Sequence, residues 1–150
     1  MKIGLASDHG GYNLKLEILN YLKEKEIKCI DFGPDNSIES VDYPIYGEKV
    51  ANAVVSKEVD YGIVCCGTGI GISLAANKVP GIRCAVVSDV FSAKMSKAHN
   101  NANMLSLGER VLGKGLALEI VETWLNTKFE GDRHSRRVDM IKEIETRYSK

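Results

Sequence analysis

The sequence has no surplus of charge: 20 Lys and Arg stand against 20 Asp and Glu, a formal net charge of +0. That balance excludes the overall basic excess of a dedicated nucleic-acid binder, and neither an acidic tail nor a polybasic anchor is present. No apolar run approaches the roughly 18 residues that a membrane span needs. Met1-Lys2-Ile3 leads straight into folded sequence without a signal-peptide core. The expectation is a cytoplasmic chain with no membrane and no nucleic-acid partner. Cysteine is scarce and unpatterned: Cys29, Cys65, Cys66 and Cys84 include no C-x-x-C pair, which argues against a disulfide framework or a zinc site. Internal repeats, low-complexity tracts and linkers are also missing. A chain of 150 residues buries roughly 70 % of its unfolded surface without cross-links, so residues 1–150 are read as one domain.

What is present is an alternation of short β-rich runs with stretches of helical period, the pattern of a parallel sheet covered on both faces. Ile3 to Ala6, Ile27 to Phe32, Tyr61 to Cys66, Ile82 to Val87 and Met104 to Leu107 are the strand candidates. Between them Leu14, Ile18, Leu19 and Leu22 recur at helical spacing, with Lys15, Glu17, Lys23 and Glu24 on the other face. Pro44 suits the first turn of a helix carrying Val50, Ala53 and Val54. Ile70 to Asn77 enters a helix directly from a glycine turn. Ser88 is the expected N-cap of a helix ending near Ala98, with Asp89 favourable at its positive end. Two further helices are expected over Gly113 to Trp124 and Arg137 to Tyr148.

In open α/β sheets ligands collect beyond the carboxyl ends of the strands. Cys66-Gly67-Thr68-Gly69-Ile70-Gly71 sits at such an end. Alternate glycines let backbone approach a ligand, and amides at a helix start suit a phosphate or a developing oxyanion. Nucleotide loops fit poorly: the third glycine of G-x-G-x-x-G is replaced by Ile72, and the P-loop's G-K-[ST] is missing. Cys66 at that turn is placed to act as base or nucleophile, although an arbitrary cysteine is more often a small buried hydrophobe. Cys65 should face the other way into the core. Asp8-His9-Gly10-Gly11 follows the first strand on the same edge, and as a helix cap Asp8 would be equally ordinary. His99-Asn100 reads as a helix end. Arg133, Arg136 and Arg137 with His134 form a basic cluster, a solvated face or a phosphate site.

Taken in order, Asp8-His9-Gly10, Asp42-Tyr43-Pro44, Cys66-Gly67-Thr68-Gly69-Ile70-Gly71, Ala76-Asn77-Lys78, Gly81-Ile82-Arg83, His99-Asn100 and Gly131-x-Arg133-His134 closely resemble the type B ribose-5-phosphate isomerases. The resemblance runs nearly end to end, and the same family holds galactose-6-phosphate isomerase subunits and an allose-6-phosphate isomerase activity. It implies a Rossmann-like three-layer α/β/α sandwich with a five-stranded parallel sheet and an extra C-terminal helix. It also implies a homodimer or tetramer with active sites shared between subunits, and no metal or cofactor requirement.

By the same resemblance the substrate is a phosphosugar, and ribose 5-phosphate and ribulose 5-phosphate interconvert through an enediolate in the non-oxidative pentose phosphate pathway. Cys66 would be the base and then the acid, with the amides of Gly67, Thr68, Gly69, Ile70 and Gly71 and the Thr68 hydroxyl holding the oxyanion. His99 would assist ring opening, Asp8 would hold a sugar hydroxyl or help that step, and Asn100 would contact the sugar. His9, Arg110, Arg133 and Arg137 match the family's phosphate contacts, whereas Arg136 does not. Each group is expected at a strand's carboxyl end or on the last helix. An isomerase of a hexose 6-phosphate, or a non-catalytic phosphosugar-binding or redox-sensing module, remain the alternatives. Cys65 departs from the aliphatic residue more usual before the catalytic cysteine.

Overall fold

The computed structural model describes residues 1–150. β1 (Lys2–Ser7) runs through a single 3-10 turn at His9–Gly11 into α1 (Tyr12–Glu24), and β2 (Lys28–Asp31) follows. Then come α2 (Tyr43–Val55), β3 (Tyr61–Cys66), α3 (Ile70–Ala76), β4 (Cys84–Val86) and α4 (Val90–Ala98). β5 (Met104–Gly108), α5 (Lys114–Asn126) and α6 (Arg133–Tyr148) complete the chain. All strand pairs are parallel, in the order β2-β1-β3-β5-β4.

Parallel strands buried on both faces need apolar side chains in both directions, and the two faces have separate cores. Ile3, Leu5, Ile63, Cys65, Leu105 and Leu107 pack under α1, α4 and α5, with Leu14, Ile18, Leu22, Ala93, Ile120 and Trp124 coming down from the helices. On the other face Ala6, Val64, Cys66 and Met104 meet Val50, Ala53 and Val54 of α2 and Ile72 and Ala76 of α3. The structure is the three-layer sandwich that the alternation predicts. α6 lies outside both layers, burying only His134 and Val138.

Local departures from the sequence expectations have identifiable causes. Asp89, not Ser88, caps α4: its carboxylate accepts from Ser92 N at 2.6 Å, bringing hydrogen bond and negative charge to one helix end. α6 starts at Arg133 rather than Arg137, because Gly131 (φ 73°) and Asp132 (φ 49°) reverse the chain one residue earlier. β2 and β4 are shorter than their apolar runs, since each is an edge strand with one neighbour to pair with. No helix is long and apolar enough to cross a membrane.

Candidate active site

The chain leaves β1 toward β2 on one side, whereas it leaves β3 toward β4 and β5 on the other. The carboxyl ends of the adjacent strands β1 and β3 therefore flank the switch point where open α/β sheets open a crevice. Both expected loops lie there. Asp8 N donates to Cys65 O at 3.2 Å, Glu109 N to Cys66 O at 2.9 Å and Arg110 N to Gly67 O at 3.0 Å, tying the loops after β1, β3 and β5 together.

Period-2 geometry decides which cysteine faces the site. Cys65, 0 % exposed, points into the α1/α5 core, where burial pushes its thiol far up. Cys66 points to the α2/α3 side and is buried, and its Sγ accepts the Gly69 amide at 3.1 Å. Gly69 can aim that amide because it adopts φ 78°. A Cβ on it would also stand 2.9 Å from the backbone of Leu107, so no other residue fits unstrained. Of the loop amides, Gly69 is thus engaged with the thiol and Ile70 with Thr68 Oγ1 at 3.2 Å. The amides of Gly67, Thr68 and Gly71 make no bond within the chain, which leaves them free to donate to a ligand.

Asp8 is both cap and site residue: Oδ1 accepts from Gly10 N at 2.8 Å and Gly11 N at 3.1 Å, leaving Oδ2 without a partner in the chain. His9 accepts from Val41 N through Nδ1 at 3.2 Å, so its neutral ring carries the proton on Nε2. The Arg110 side chain covers this corner, within 3.4 Å of a Cβ built on Gly67 and 3.7 Å of one built on Gly10.

His99, Asn100, Arg133 and Arg137 are elsewhere. α4 runs back from the carboxyl edge, so His99, which ends it, is at the amino edge of the sheet. Four residues on, Asn103 accepts from Gly62 N through its carbonyl and donates to Arg83 O, at the starts of β3 and β4. β3 has six residues, which puts its two ends roughly 16 Å apart. His99 stacks on His134 with ring centroids 4.1 Å apart, so the first two turns of α6, with Arg133 and Arg137, share that edge. The expectation that every group sits at a carboxyl end or on the last helix is corrected for His99 and Asn100. One chain divides the expected residues into two sets: Asp8, His9, Cys66 to Gly71 and Arg110 at one edge, and His99, Asn100, Arg133 and Arg137 at the other.

The sequence pattern of the family described as Ribose/Galactose Isomerase matches residues 3–141. The chain belongs to the ribose/galactose isomerase family. A ribose-5-phosphate isomerase B from Escherichia coli is 49 % identical over 97 % of both chains. The ribose-5-phosphate isomerase B structure from Clostridium thermocellum superposes with TM-score 0.98 at 61 % identity, covering 99 % of this chain and 100 % of that one. One from Mycoplasma genitalium with bound ribulose-5-phosphate gives TM-score 0.92 at 39 % identity, covering 97 % and 96 %.

Three further residues of this ribose/galactose isomerase shape the loop, and none of them is marked by its sequence context as a site residue. Tyr43 lays its ring so close to Gly71 that a Cβ there would meet it at 2.8 Å. Ser106, buried in β5, donates to Gly69 O at 2.6 Å and holds the left-handed turn. Glu109 accepts from Leu14 N at 2.6 Å, bracing α1 against the loop after β5. Such contacts join residues far apart in sequence, and only Tyr43 falls within a motif.

Proposed function

We propose that this chain interconverts D-ribose 5-phosphate and D-ribulose 5-phosphate through an enediolate. The observation that carries the reading is Cys66, a thiol held by the Gly69 amide at the β1/β3 switch point beside Asp8 and His9. A thiolate there takes the proton from C2 of the open-chain aldose and returns it to C1, while the hydroxyl proton passes from O2 to O1. The Gly67 and Thr68 amides face the oxygen on which negative charge grows, an interaction of the kind whose loss costs about 3–4 kcal/mol of barrier. Asp8 Oδ2 takes a sugar hydroxyl. His9 Nε2 and the Arg110 fork take the phosphate, for which a permanently charged bidentate group is suited.

The remaining roles need a second copy of the chain. Proton donation to the ring oxygen by His99, sugar contact by Asn100 and further phosphate contacts by Arg133 and Arg137 come from the amino edge, which a homodimer or tetramer presents to the carboxyl edge of its neighbour. A two-fold pair places the same exchange in both sites. We assign residues 1–150 to one cytoplasmic catalytic unit that uses no cofactor.

The test is ribulose 5-phosphate formation from ribose 5-phosphate by purified protein in EDTA, with Cys66→Ala and hexose 6-phosphates alongside. Pentose turnover that vanishes in the mutant supports the reading. Turnover of a hexose 6-phosphate alone keeps the chemistry and changes the substrate. Silence with every sugar overturns the enzyme reading in favour of a binding or redox-sensing module.

A further inference from the structure

Around the end of α4 the chain brings together two imidazoles and a carboxylate that the reaction above does not use as a unit. His134 Nε2 lies 3.5 Å from Glu130 Oε2, and His99 Nε2 lies 3.8 Å from the same oxygen. One donor atom from each of the three residues falls within 4.8 Å of the others. The cluster has a built side. The His134 side chain is only 6 % exposed, and its buried Nε2 has no hydrogen-bond partner. Glu130 is fixed by its own amide, which donates to Ala98 O at 3.0 Å, one residue from His99. A buried imidazole nitrogen without a partner is an unmet demand, and a carboxylate beside it at poor hydrogen-bond alignment meets it only in part.

We propose that His99, Glu130 and His134 form an inhibitory site for a zinc-like divalent transition metal. Two imidazoles and one carboxylate are a common three-ligand zinc set, leaving the fourth position to water. Bond lengths of about 2.0–2.2 Å put tetrahedral donors roughly 3.3 Å apart. The two carboxylate distances are already close to that. The required movement falls on His99, whose ring lies flat against His134 at an interplanar angle of 9° and must tilt to turn Nε2 inward. His99 is the freer ring, 36 % exposed at the end of its helix, while His134 is held. The guanidinium groups of Arg133 and Arg137 oppose a cation nearby, so the affinity suits an inhibitor that comes and goes rather than a resident cofactor. Metal on His99 Nε2 removes the proton donor for ring opening, and this second half of the inference rests on the isomerase reading.

The binding test needs no turnover. Co2+ titrated into the protein should give visible d–d absorption saturating at one ion per chain. Glu130→Gln and His134→Asn should each weaken it at least tenfold, and Cys66→Ala should leave it unchanged. Glu130 is half exposed, so its variant has no core to disturb, and circular dichroism checks both. An unaltered spectrum up to millimolar Co2+ overturns the site. So does binding undiminished in Glu130→Gln and His134→Asn, or near-ultraviolet thiolate-to-cobalt absorption that disappears in Cys66→Ala. In turnover assays Zn2+ should inhibit reversibly by EDTA, with half-inhibition shifted upward at least tenfold in Glu130→Gln relative to that variant's own rate. Cobalt binding at the three residues without zinc inhibition overturns the inhibitory role alone, whereas an inactive wild-type protein overturns the isomerase reading and leaves the cobalt result to decide the site.

Discussion

Cys66 and His99 stand at opposite edges of one sheet: Cys66 closes β3, and His99 ends the helix that returns to where β3 begins. No rotamer change spans the roughly 16 Å between those edges. On the function proposed above, the base Cys66 and the proton donor His99 that serve one sugar come from two copies.

That arrangement predicts complementation. Cys66→Ala and Arg137→Ala chains are expected to be nearly inactive alone. Mixed in equal amounts and allowed to exchange, they should recover about a quarter of the wild-type sites, since random pairing makes half the dimers mixed and each mixed dimer has one intact site. Ribulose 5-phosphate formation after subunit exchange measures this, with exchange followed by mass spectrometry. No recovery despite exchange would sink the shared site.

The neighbouring cysteines should respond oppositely to substitution. Cys66→Ala should lower kcat by at least a thousandfold with unchanged circular dichroism. Cys65→Val exchanges one small buried side chain for another, a swap that costs less than about 1.5 kcal/mol. Its kcat should stay within a factor of two, and a large loss would move the base assignment to the wrong face of β3.

Gly69→Ala separates loop geometry from the thiol. The new Cβ stands 2.9 Å from the Leu107 backbone at a left-handed φ, so the turn must shift and carry its amide off Cys66 Sγ. kcat is expected to fall about a hundredfold, the scale of a lost oxyanion donor, with KM changed much less. A variant that keeps kcat while losing only stability would show that the turn is structural.

Stability should depend on pH through Lys97. Its Nζ is buried over the rings of Tyr61 and Trp124, 3.3 and 3.9 Å from their centroids, with no hydrogen-bond partner. Burial pushes its pKa down from 10.5 to about 7. The unfolded chain then binds more protons across that window, and stability should rise with pH from about 7 to about 10. Below the window the full penalty remains. Lys97→Met should flatten this slope and raise Tm most at the acid end, as read by urea or thermal unfolding at several pH values. A slope unchanged by the substitution would count against a neutral lysine between the rings.

Much of this molecule is written locally. Strand and helix positions follow from periods of two and 3.6 in the apolar residues, which is why Tyr61 to Cys66 and the Leu14-Ile18-Leu22 stripe are legible without coordinates. The glycine turn at Cys66 and the Asp8-His9 pair are legible for the same reason: each is a short segment at the end of a strand whose direction is known once the sheet is parallel. Boundaries were less so. Ser88 and Asp89 are both good N-caps, and only the bond to Ser92 chooses between them. The start of α6 depends on a reversal at Gly131-Asp132 that propensity does not locate.

The alternation of strands and helices, the glycine loop, the cysteine that can face it and the family likeness are all local properties of the amino-acid order. The company those residues keep is set by the folded layers instead. The strand order sets the crevice between β1 and β3, and the return path of α4 carries His99 away from Cys66. The fold of α6 back onto that helix stacks His134 on His99 beside Glu130. These are contacts between segments distant along the chain, fixed by how whole layers pack, and no local spacing encodes them.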